Sequence, residues 1–156
     1  MSYTMEFWAL SVDDLTTTDE VAPLLSGGGG PAAAEQVGVV MSAVRRMGFP
    51  VGSLDHSSSG GTWFRDEFMA GPVAATIGPE PTAHLLDRPI NRLTWSGYPS
   101  LGWLTHAEIT AALTRSDNHA DAEKAEDSEE ADLLATILTA FHTAADRKQD
   151  IVTIYT

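Results

Sequence analysis

The chain has 156 residues, no cysteine and a formal net charge of -13, with 22 acidic against 9 basic side chains. Its 43% hydrophobic content is enough to core one domain, and no apolar run approaches the roughly 20 residues that span a bilayer. Disulfides, thiolate metal sites and cysteine nucleophiles are thereby excluded, and sparse Lys and Arg argue against nucleic acid and anionic membrane surfaces as partners.

The opening MSYTMEFWAL has Glu6 where a signal peptide needs apolar residues and lacks a basic lead, so no export signal and a cytoplasmic setting are expected. Residues 3–12 predict a strand. Met5, Phe7 and Ala9 lie on one face and Trp8, Leu10 and Val12 on the other; two apolar faces imply a central strand. Thr17 and Glu20 have capping-box spacing and predict a short helix ending near Leu25. The Gly27–Gly30 tract and the polar stretch Gly52–Gly61 read as mobile loops, because glycine and serine gain little burial for their ordering cost. Between them, Val37, Val40, Met41, Val44 and Met47 recur at helical spacing. Pro31 suits the start of that helix, Gly48 and Pro50 its end, and Arg45 and Arg46 its negative pole.

Trp63, Phe64, Phe68 and Met69 fit either a helix or a strand, and residues 77–82 (IGPEPT) read as a break. Arg92 to Trp95 reads as a short strand and Trp95 to Trp103 as loop. Thr105 and Glu108 form a capping box for a helix through Ile109, Ala112 and Leu113 to about Arg115. Asp117 to Asp132 then holds eight acids against the single Lys124. A long helix follows, with Leu134, Ile137, Leu138, Phe141 and Ala145 as its apolar stripe and Arg147 and Lys148 at its end. Asp150 to Tyr155 (DIVTIY) is β-branched and aromatic, a closing strand. The pattern predicts one α+β domain over residues 1–156. Its small mixed or antiparallel sheet should include both terminal strands and be packed by about four helices.

The stretches MSYTMEFWALSVDDL, YPSLGWLTHAEI and AADRKQDIVTIYT resemble a family of small, acidic, uncharacterised actinobacterial proteins. Members open with Met-Ser-Tyr and a strand, carry an aromatic-Leu-Thr-x-x-Glu helix start and close on an Ala-rich helix and strand. The resemblance implies a bacterial source and the α+β fold, and carries no catalytic residue or cofactor to this chain.

Chemistry-bearing motifs are few. The five histidines (His56, His84, His106, His119, His142) show no metal-binding spacing; His142 reads as boundary or core and His106 as an exposed first-turn residue. Asp55, His56 and Ser57–Ser59 are adjacent, which does not suit a triad, and the glycine tracts lack the Lys-Ser/Thr of a phosphate loop. Asp117, His119, Asp121 and Glu123 alternate like a calcium loop, but Ala122 stands where glycine is required. No catalytic residue, metal ligand or cofactor is therefore assigned.

Two features remain. The acidic run, including Glu126, Asp127, Glu129 and Glu130, is either a solvated lead into a helix or a surface that steers a basic protein partner. Trp95, Tyr98 and Trp103, with His106 and Arg92 nearby in sequence, are candidates for ligand or partner contact, or pin an irregular segment to the core. The leading expectation is a non-catalytic, immunity-type or regulatory protein that engages a partner through acidic and aromatic surface. The alternative is a small-molecule-binding protein or enzyme with a pocket near Trp95–Trp103.

Overall fold

The computed structural model of the protein describes residues 2–26, 32–57, 62–91, 93–95, 97–120 and 129–156. Four strands, β1 (Ser2–Leu10), β2 (Phe49–Ser57), β3 (Ser100–Leu104) and β4 (Asp150–Tyr155), form one antiparallel sheet in the order β2-β1-β4-β3. The two terminal strands are its central pair, as their apolar faces require. Seven α-helices and one π-helix are present among the described residues, more than the expected four.

Helices cover both faces of the sheet. On one side Met5, Phe7, Ala9, Leu54, Leu104, Ile151 and Tyr155 are buried. The π-helix (Trp63–Val73), α4 (Ala74–Ile77), α5 (Pro79–Leu86), α6 (His106–Ala120) and α7 (Glu129–Asp146) supply the opposing side chains. On the other side Leu10, Leu101, Val152 and Ile154 meet α1 (Val12–Thr16), α2 (Ala22–Leu25) and α3 (Ala34–Met47). The alternation read for Met5, Phe7 and Ala9 against Trp8 and Leu10 is the partition between these two cores.

Several local readings are corrected. Thr17 does not open a helix: it ends α1, which Ser11 opens by accepting the Asp14 N–H on Oγ (3.3 Å), and the helix that ends at Leu25 is α2, starting only at Ala22. Residues 52–57 are not a loop but the second half of β2, paired with β1 from Ser2↔Ser57 to Phe7↔Gly52. Their exposed polar side chains reflect an edge strand's position rather than lack of order. Gly27–Gly30 and residues 58–61 lie outside the described residues. Residues 93–95 make no strand; Leu93 pairs with Ile90 in an isolated bridge beside Asn91 (φ 53°), and the true strand is Ser100–Leu104, most of it inside the segment read as loop. The helix after Thr105 runs on to Ala120. Phe64, Phe68, Met69 and Val73 recur every four to five residues, too long a period for an α-helix but suited to i→i+5 bonding, which explains why periodicity left helix and strand undecided here.

The seat of α5 on β3 depends on one glycine and two hydroxyls. A Cβ on Gly102 would stand 2.3 Å from the Leu85 carbonyl oxygen and 2.4 Å from that of His84, so only glycine allows the helix end this close. The last carbonyls of α5 lack helical partners. Thr153 Oγ1 donates to Leu85 O (2.6 Å) and Ser100 Oγ to Leu86 O (3.2 Å), which accounts for both buried hydroxyls.

Candidate binding surface

At the end of the sheet where β1 begins and β4 ends, aromatic rings gather around Tyr155. Tyr155 is buried, and its ring lies 4.9 Å from Tyr98, edge to face, and within 6 Å of Tyr3, His56 and Phe64. His56 stacks between Phe64 (4.2 Å) and Tyr3 (5.4 Å). Its Nδ1 lies 3.0 Å from the Ser57 carbonyl, which can only accept, so the proton of a neutral ring sits on Nδ1. Nε2 is then free to accept the Tyr155 hydroxyl, with which it is in hydrogen-bond contact. Burial, together with the Tyr98 hydroxyl bonded to it, pushes the Tyr155 phenol well above its usual range, so it remains a neutral donor. Tyr98 covers this group and is itself 44% exposed, with the Arg65 guanidinium 5.7 Å from its ring centre.

The direction of α7 sets acidic groups at the same end. A Cβ on Gly52 of β2 would touch Thr136 (3.4 Å) and Ala140 (3.6 Å), while the Arg147 guanidinium lies 4.1 Å from the ring centre of Phe49. The helix therefore runs antiparallel to β2. Its first turn, with Glu129, Glu130 and Asp132, lies toward the His56 end of the strand. Glu129 is exposed and Glu130 half-buried, and Asp66 and Glu67 are exposed on the π-helix that packs beside α7. Glu126 and Asp127 lie outside the described residues.

The aromatic residues singled out in the sequence do not share one pocket. Trp95 and Trp103 pack with the α1–α3 core, whereas Tyr98 joins the rings on the opposite face. Trp103 and His106 do meet, in a cleft of about 540 Å³ that Asp13, Asn91 and Asp150 also line. Trp103 is fixed there by its Nε1–H to Pro89 O (3.1 Å) and by the Arg88 guanidinium 3.7 Å from its ring centre. Asp150 is structural: Oδ2 accepts the Val12 N–H (2.9 Å) and Oδ1 that of His106 (2.8 Å), capping α1 and α6 with one carboxylate. His106 is half-buried rather than exposed, and His142 is exposed rather than in the core. Arg92 lies outside the described residues.

Glu108 is the other group that the sequence placed only as a cap. Its Oε1 accepts the Thr105 N–H (3.0 Å) and the Arg88 guanidinium (2.9 Å). Burial alone would raise its pKa, but these hydrogen bonds, the Thr105 hydroxyl and the Arg88 charge outweigh it and hold the carboxyl below its ordinary value. Among the described residues no group of three or more His, Asp or Glu side chains stands close enough to hold a metal ion, and no helix is long and apolar enough to cross a membrane. The His56–Tyr155 pair was not legible in the sequence, since the two residues are 99 apart and no motif links them. Comparison with protein-family models, curated proteins and solved structures finds no match.

Proposed function

We propose that this protein is a non-catalytic binding protein, immunity-type or regulatory, that engages a basic protein partner through an acidic and aromatic surface. One observation carries the reading: the antiparallel run of α7 over β2 sets Glu129 and Glu130 toward the end of the sheet where Tyr98 stands 44% exposed. An exposed tyrosine supported from below by packed rings is a rigid anchor with a polar tip, and acids at its rim steer a cationic surface toward it. The resemblance of the three stretches supports a bacterial source, and the lack of cysteine fits a cytoplasmic setting. Affinity capture on the full chain identifies the partner, and association rates across a salt series test the surface. Glu129→Gln with Glu130→Gln should slow association and flatten its salt slope, while Tyr98→Ala should speed dissociation about tenfold or more. Unchanged rates in both variants would overturn the reading.

A second reading rests on the cleft shared by Trp103 and His106. An indole wall beside an imidazole, Asn91 and Asp13 suits a small polar ligand. Saturable quenching of tryptophan fluorescence, lost in Trp103→Phe, would favour it over the partner surface.

A further inference from the structure

We propose that the outer edge of β2, at Ser53 and Asp55, receives an extended cationic segment of a partner protein as a fifth strand of the sheet. This rests on the reading of the protein as one that binds a basic partner, and it names how the partner is held. The backbone geometry fixes which groups are on offer. Thr4 exchanges both its backbone bonds with Thr156, N–H to O at 2.8 Å and O to N–H at 3.0 Å, so its polar groups face β4. Strand groups alternate sides, so Tyr3, Met5 and Phe7 face β2 and bond their register partners His56, Leu54 and Gly52. Ser53 and Asp55 therefore aim N–H and C=O away from the sheet. Both residues are exposed, and among the described residues no backbone group bonds these four.

The opposite edge is treated differently. There the outward carbonyls of Leu101 and Trp103 are both occupied, by the Arg88 N–H (3.0 Å) and the Arg88 guanidinium (3.1 Å). On β2, Pro50 and the irregularity between Phe7 and Trp8 interrupt the first part of the strand, which limits pairing to the part beyond them. An exposed edge of this kind accepts a strand by main-chain bonds, with flanking side chains giving selectivity.

Charge selects the occupant. The side chain of Asp55, which accepts the Thr4 hydroxyl (2.6 Å), flanks the open groups, and the first turn of α7 adds Glu129 and Glu130 at that end. A second copy of the chain would bring one net charge of -13 against another. Antiparallel self-pairing would also set the two Asp55 side chains opposite or diagonal to each other, an unfavourable arrangement. A strand bearing lysine or arginine meets the same groups with attraction.

The test is two-dimensional NMR of the full chain titrated with a blocked peptide alternating threonine and lysine, and with the same peptide carrying glutamate for lysine. Saturable shifts at the Ser53 and Asp55 amides with the lysine peptide alone, and hydrogen exchange there slowed about tenfold, are expected. Ser53→Pro removes an outward donor without breaking a bond to β1 and should abolish both effects. Asp55→Lys keeps every backbone group and should weaken the lysine peptide several-fold, so it carries the test if the proline variant does not fold. No shift at these amides, equal shifts with both peptides, or shifts produced by raising protein concentration alone would each overturn the proposal. Shifts confined to Tyr98, Glu129 and Glu130 would overturn the added strand while leaving the acidic and aromatic surface standing.

Discussion

The two edges of the sheet differ in how their backbone is satisfied. At β3, the end of α5 lies directly on the strand, and Arg88 occupies both outward carbonyls while its guanidinium also pairs with Glu108 and covers Trp103. At β2, α7 covers one face, but the edge itself is left to the polar residues Ser53 and Asp55. One fold thus contains a closed edge and an open one. The closed edge depends on tight complementarity between backbone groups, so it should be intolerant of change; the open edge should be permissive. That difference can be measured.

The largest expected effect is at Gly102. An alanine there places its Cβ against two helix carbonyls, which are backbone and cannot turn aside, so α5 must lift from β3. Overpacking of this kind costs about 3 kcal/mol or more, and a thermal melt of Gly102→Ala should show a collapse in Tm. A melt within a degree or two of the parent would show that the closed edge is looser than its distances imply. Thr153→Val should cost less. It keeps the shape of a fully buried side chain but leaves the Leu85 carbonyl without its 2.6 Å donor, a loss of about 1–3 kcal/mol. Chemical denaturation of Thr153→Val against Thr153→Ser, which retains the hydroxyl, separates the hydrogen bond from packing.

Acid should act near both edges through different carboxylates. Glu108 serves the closed side. Glu6, on the strand next to β2, is raised by burial, but hydrogen bonds from Arg45 and Trp8 and the Arg45 charge bring it below its ordinary value. Because both folded-state pKa values lie below the unfolded value of 4.5, their stabilising contribution is present above that pH. It is lost as pH falls through the folded values. Unfolding free energy measured from neutral to acid pH should fall in that window, and Glu108→Gln should flatten the fall. A slope identical to the parent's would mean that the Arg88–Glu108 pair contributes nothing to folding.

The smallest effect is expected at Gly52, on the open side. A Cβ there meets Thr136 Cγ2 at 3.4 Å and Ala140 Cβ at 3.6 Å, ordinary contact distances. Gly52→Ala should change stability by less than about 0.5 kcal/mol. Set beside Gly102→Ala, it makes the same substitution at the two edges. Equal losses from the pair would remove the distinction between them.

The sequence by itself determined the central elements. The two-sided apolar pattern of residues 3–12 and the β-branched run Asp150–Tyr155 required burial on both faces, so each had to lie inside the sheet. The Thr105–Glu108 capping box and the stripe along α7 were equally local signals, since a cap or a helical face is written within a few turns of chain. Only the tertiary structure decided the edges. Gly52–Ser57 has the composition of a loop, and Ser100–Leu104 lies among prolines and glycines; both are strands because a neighbour supplies their hydrogen bonds. The surface was decided in the same way. Trp95, Tyr98 and Trp103 are close in sequence but end on opposite faces, whereas Tyr3, His56, Tyr98 and Tyr155 come together across the whole length of the chain. Strand pairing sets those contacts, and pairing depends on partners far apart in sequence that no local pattern specifies.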